Sequence, residues 1–406
     1  MIRKLLAISL LVMSMSVFAQ ETQPVSTVGT GTYLGKTEPL RDFPTLSSSP
    51  SYGFSELNIV ENNFGVSPGA SENALPLNGD PIGQRTMGEN MSYAPIVNFD
   101  GANASEGQAT PPDPSGAVGP NHYVQGVNLV IKIYDKTGTL LAGPTSLGEF
   151  LGNGANNGDP IIMYDQLADR WFVSQFQTSN NALIIGISET PDPTGAYFLY
   201  EYPLDSFPDY PHYAIWPDAY YLTSNKSGAT TYALDRDALL AGEASPAIQG
   251  FNLPGVIANP NTVFSPEPAN LTGFSFPQGD VPGYIVYLQD DGWGAAFDHL
   301  KVWELDIDFE NSANSTVSEP LEIPTAPFDS FIAPFGAGEL DQPGTTNKID
   351  MLSGIISYAA NYRTFEDHNS WLITFNVDVN SDNTTSGIRW IELRNSDTEP
   401  WSIFQE

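Results

Sequence analysis

Tyr362, Arg363, Asp367 and His368 place a phenol, a guanidinium, a carboxylate and an imidazole within a few residues of one another. Such a set can bind an acidic sugar, with Arg363 on its carboxylate and His368 or Tyr362 moving a proton, which is the equipment of a polysaccharide lyase. The same residues also fit a structural corner, where an Arg363–Asp367 pair and His368 tie two elements together. Asp165, Asp169, Arg170 and Trp171 form a second group, either a sugar-stacking indole with polar neighbours or a turn leading into a buried strand aromatic. Trp216 and the tyrosines Tyr220 and Tyr221 carry the same ambiguity, since an aromatic on an alternating strand usually belongs to the core.

Metal chemistry has one candidate. Asp378, Asn380 and Asp382 set oxygen ligands at alternate positions, as a calcium loop does. Asn383 and Arg389 stand where an EF-hand needs Gly and Glu, and the same residue types favour an ordinary hairpin turn. Calcium is therefore the one cofactor these residues suggest. His122, His212, His299 and His368 show no metal-binding spacing, and nucleophile elbows, His-Glu-x-x-His motifs, Walker loops and dinucleotide fingerprints are absent.

These side chains must be positioned by strands. A turn feeding an aromatic strand begins at Asp113-Pro114 and is echoed at Asp159-Pro160, at Asp209-Tyr210-Pro211 and at Lys348-Ile349-Asp350. The first two steps, about 46 and about 50 residues, match one four-stranded propeller blade. Between the echoes, runs such as Arg170 to Phe176, Ala182 to Ser188 and Ala196 to Tyr202 read as short strands broken by Gly, Pro, Asn and Asp. Helix signals are nearly missing. The expected fold is all-β and propeller-like, with four-stranded blades and about five units present.

The motifs Asp113 to His122, Tyr164 to Trp171, Asp192 to Gly195, Asp209 to Pro211, Trp216 to Asp218 and Tyr362 to His368 together resemble a family of exported bacterial proteins. That resemblance implies a secreted propeller-like module with no assigned reaction. It also implies further glycine-rich strands beyond Glu406, so the ring is expected to be incomplete.

Composition sets the address and narrows the partners. Met1 to Ala19 has a basic start, a short apolar run and a small-residue exit, the pattern of a cleaved signal peptide, so a secreted or surface-associated protein is expected. Residues 20–110 are rich in Ser, Pro, Gly and Asn and read as an extended, poorly ordered leader and linker with one docked strand at Tyr93 to Phe99; residues 111–406 form the propeller-like domain. Fifteen basic against 48 acidic residues give a formal charge of −33, which disfavours nucleic acid, and no segment predicts a membrane span. With no cysteine, disulfides and thiolate chemistry are excluded.

The leading expectation is a non-catalytic exported module that binds a glycan or a surface protein, through Asp165, Trp171, Trp216 and Asp367. An enzyme acting on acidic polysaccharides, a lyase or hydrolase using His368, Arg363 and Tyr362, is the second reading. A calcium-stabilised structural module is the third.

Overall fold

The computed structural model describes residues 21–47, 55–56, 75–86, 88, 93–152, 154, 156–257, 266–273, 275–277, 281–330, 340–349, 351–382, 384–396 and 398–406. The expected signal peptide and Asp350, the acidic residue of the last echo, lie outside them. The chain is all-β and builds a five-bladed propeller whose blades are made of antiparallel hairpins.

Blade one comprises Ser115–Val118, His122–Val127, Val130–Asp135 and Leu140–Ser146. Blade two holds Ile161–Asp165, Arg170–Gln177, Ala182–Ser188 and Tyr197–Pro203, and blade three Asp209–Ile215, Ala219–Asn225, Thr231–Asp235 and Ala247–Phe251. In blade four Glu267–Pro268, Gly283–Gln289 and His299–Asp306 are followed by Thr316–Ser318 and Leu321–Pro324, which both pair with the third strand. Asn361–Thr364, Asn369–Asp378, Ser386–Asn395 and Ser402–Gln405 make blade five, whose first strand is joined in parallel by Asn270–Thr272.

Middle strands lose the two-residue alternation of a half-exposed sheet because both of their faces are covered by neighbouring blades. Ala182–Ser188 and Gly283–Gln289 are buried at every residue. Among the described residues three apolar clusters result: one joins blades one and two around Trp171, one joins blades two and three around Phe172 and Tyr213, and the largest runs through blades three, four and five around Trp216, Trp303 and Trp371. Among the described residues no such cluster joins blade five to blade one. The free face of blade one is instead covered by chain from the linker, with Phe99 packed on Tyr123 and Tyr134, and Glu106 paired to the buried Lys132 at 3.1 Å.

Within residues 20–110, read from the sequence as an extended leader, the structure places three paired strands. Thr22–Pro24, Thr27–Thr30 and Thr32–Lys36 add outer strands to blades four, three and two in turn. Sequence alone hid them because an edge strand exposed along most of its length carries little apolar signal; its order comes from main-chain pairing to a sheet far away in the chain. The strand expected at Tyr93 to Phe99 is absent, and only Phe99 docks. Deleting residues 21–36 exposes three sheet edges, so the truncated protein is expected to melt earlier and to aggregate with rising concentration, as differential scanning fluorimetry and light scattering would show.

Candidate active site

Each innermost strand of the first three blades is entered through an acidic residue: Asp113 before Ser115–Val118, Asp159 before Ile161–Asp165, and Asp209 at the head of its own strand. The entry turns need a left-handed residue, which is Asp113 (φ 35°), Asp159 (φ 52°) and, one position later in blade three, Tyr210 (φ 52°). Non-glycine residues in that region carry a cost of order 1–3 kcal/mol and persist where the surroundings over-determine them, which happens often at functional sites. Because the innermost strands surround one axis and run in a repeated sense, the three carboxylates gather at one end of it.

Asn128, which is 1% exposed, holds two of the turns together. Its Nδ2 donates to Asp113 Oδ2 at 2.8 Å, and its Oδ1 accepts from the Asp159 backbone N–H at 2.8 Å. Burial, reinforced by the charges of Asp113 and Asp209, pushes the Asp159 carboxyl up to about 7. Asp209 is raised to about 6, again by burial, although the Tyr210 N–H donates to its Oδ1 at 3.0 Å. A proton-bearing carboxyl therefore stands beside carboxylates, the arrangement that lets one fold supply acid and base at the same pH.

Along the axis lies a cavity of about 440 Å³, lined among others by Pro114, Gly116, Met163, Ile215, Leu271 and Tyr358. Pro114, the residue after Asp113, borders this cavity at the entry turn of blade one. Cross-links keep the strands around it in register: the Ile162 N–H donates to Ser115 Oγ at 3.0 Å, Gln166 Nε2 to the Leu271 carbonyl at 3.0 Å, and the Ile215 N–H to Asn270 Oδ1 at 3.2 Å.

None of the side chains singled out from the sequence joins this group. Asp165 is fully buried, accepting from Arg236 Nε at 2.8 Å, from Tyr220 Oη at 2.7 Å and from two backbone amides. Trp171 and Trp216 lie inside the inter-blade cores, their indole N–H groups donating to the carbonyls of Pro191 and Val281. The expectation that Asp165, Trp171 and Trp216 contact a ligand is thereby corrected; blade-on-blade packing covers them.

The lyase-like quartet is split by strand alternation. Tyr362 turns inward against Trp216, with ring centroids 4.8 Å apart, whereas Arg363 is exposed on the opposite face. His368 pairs its Nδ1 with Asp367 at 2.7 Å and stacks on Phe365, on a hairpin at the surface. Asp367 is exposed there, and His368 holds its carboxyl below the usual range.

Asp378 and Asp382 spend oxygens on their own turn, Asp378 Oδ1 accepting from the Asn380 N–H at 3.0 Å and Asp382 Oδ1 from the Thr384 N–H at 2.9 Å. Among the described residues, the carboxylates that crowd within 4.8 Å are instead Asp290, Asp291 and Asp298.

Asp113, Asp159 and Asp209 were visible in the sequence as a repeated turn but not as chemistry. Their signal was the recurrence of an acidic residue at the entry to each innermost strand of the first three blades.

No family model and no curated protein matches the chain. Among solved structures it is similar to an exo-1,5-α-L-arabinanase from a bovine ruminal metagenomic library, at 11% identity over 72% of this chain and 96% of that one, with a TM-score of 0.30. An α-L-arabinofuranosidase from Clostridium thermocellum matches at 10% over 73% and 94%, TM-score 0.32. A family 43 β-1,3-galactosidase matches at 11% over 68% of this chain, TM-score 0.28, and the chain spans only 55% of that protein's length.

Likenesses this distant assign no substrate, residue or mechanism. The proteins matched are glycoside hydrolases, which stands against the expectation of a non-catalytic binding module that is not an enzyme.

Proposed function

We propose that the protein is an exported hydrolase that cleaves a glycosidic bond at the axial end of its propeller. The observation that carries this reading is the convergence of Asp113, Asp159 and Asp209 from three blades, with Asp159 raised to about 7 and Asp209 to about 6. Asp159 gives its proton to the leaving-group oxygen as the glycosidic C–O bond breaks, and Asp209 takes a proton from the attacking water. Asp113, held by Asn128, keeps Asp159 protonated by adding negative charge beside it.

A neutral sugar chain suits this site better than an acidic one. Three carboxyls at the entry repel a uronate, and Arg363, the residue expected to bind one, is on the surface hairpin. Export and membership of the secreted propeller-like family, carried by the same Asp-Pro turns, belong to this reading.

The test is turnover by purified full-length protein of a panel comprising arabinohexaose, xylohexaose, β-1,3-galactobiose and polygalacturonate. Release of reducing ends from a neutral member supports the proposal, and inactivity on all four overturns it. Where activity is found, kcat should pass through a maximum between about pH 6 and 7, falling on the acid side as Asp209 protonates and on the alkaline side as Asp159 ionises.

A further inference from the structure

Blade four repeats the acidic entry with a different residue. Glu267-Pro268 opens its innermost strand, and Glu267 is fully buried against His212, which is 5% exposed. Glu267 Oε1 is paired with His212 Nδ1, and among the described residues Oε2 has no partner. His212 lies on the strand headed by Asp209, three residues further on. Its ring packs between Tyr210, at 4.5 Å, and Tyr358, at 5.1 Å, and Tyr358 lines the axial cavity. Nothing in the acid–base scheme uses this pair.

We propose that His212 is a substrate-binding residue of the same site, with Glu267 as its positioning residue, and that Nε2 donates a hydrogen bond to an oxygen of a sugar seated in the axial cavity beside Tyr358. The inference rests on the hydrolase reading. A net charge is costly where water is excluded, so the pair is held neutral with one proton between Glu267 and Nδ1. In either neutral arrangement, glutamate with imidazolium or glutamic acid with imidazole, the second proton is on Nε2. Nε2 has no hydrogen-bond partner among the described residues, and the ring is fixed by Tyr210, Tyr358 and Glu267, so the donor is pre-oriented.

Two measurements test this. His212→Gln can place an amide N–H near the position of Nε2, whereas His212→Asn reaches only that of Nδ1. On the neutral oligosaccharide that is turned over, His212→Asn is expected to raise KM about tenfold or more with kcat little changed, and His212→Gln to stay within about threefold of wild type. Equal KM for wild type and His212→Asn, or equal impairment of both variants, overturns the inference, because loss of packing alone would not distinguish Asn from Gln.

The second measurement needs no activity and no variant fold. Two-bond 1H–15N spectra of 15N-histidine-labelled wild type at pH 7.5 should show a proton on His212 Nε2, with its resonance shifted by arabinohexaose or xylohexaose. An unprotonated Nε2, or a resonance that neither sugar moves, overturns the inference. If no glycan is turned over, the hydrolase reading fails by itself while the spectra still decide the state of His212.

Discussion

Replacing Asp159 by Asn is expected to cost at least 10²-fold in kcat while making the protein more stable above neutral pH. Both effects come from one carboxyl. Its ordinary value is 3.8, and burial beside Asp113 and Asp209 raises it to about 7. Between those values the native state keeps a proton that the unfolded chain has released, so stability from this group is fully present below about pH 4 and is lost as pH rises through 7.

At pH 8 the wild type therefore bears an ionised carboxylate in a site that disfavours it, at a cost of roughly 2 kcal/mol once partial solvent access is allowed for. The amide introduced by Asp159→Asn keeps the shape without the charge. Urea unfolding at pH 5 and pH 8 checks the stability arm: wild type and Asp159→Asn should differ little at the lower pH and clearly at the higher, in favour of the variant. A variant that is less stable at both pH values, or one that keeps full kcat, would show that the carboxyl is an ordinary structural group.

Asp165→Ala is expected to be the most destabilising of the changes considered, by roughly 3–5 kcal/mol, because it strands a buried guanidinium. Arg236 is 7% exposed and gives Asp165 two hydrogen bonds, at 2.8 and 3.2 Å, from blade three into blade two. Tyr220 loses its acceptor in the same change. A double variant, Asp165→Leu with Arg236→Met, removes both charges together and should recover much of the loss. The comparison also separates structure from ligand binding: a sugar contact at Asp165 would leave stability nearly intact and change KM, whereas the buried pair predicts the reverse for whatever fraction of the protein remains folded.

The propeller itself was legible along the chain because turn chemistry and strand periodicity are local. Asp113-Pro114 and Asp159-Pro160 each mark a turn by residue type alone, and the distance between them is set by the length of a four-stranded blade. Five units, antiparallel hairpins and the near-absence of helix follow from such signals. Aromatic residues were legible as strand residues but not as to side. Trp171 and Trp216 looked equally able to stack on a sugar or to fill a core, and the choice depends on which blade covers which face.

Residue order along the chain was enough for the repeat, the acidity and the acidic residues at the recurring turns, because these depend on neighbours within a few residues. Folding in three dimensions was needed to bring Asp113 and Asp209 near Asp159, to pair Glu267 with His212, and to lay residues 22–36 along the outer edges of three blades. Closing the blades around an axis brings together groups separated by tens to hundreds of residues, and burial at that axis, rather than residue type, raises Asp159 to about 7 and makes the repeated turn a candidate acid.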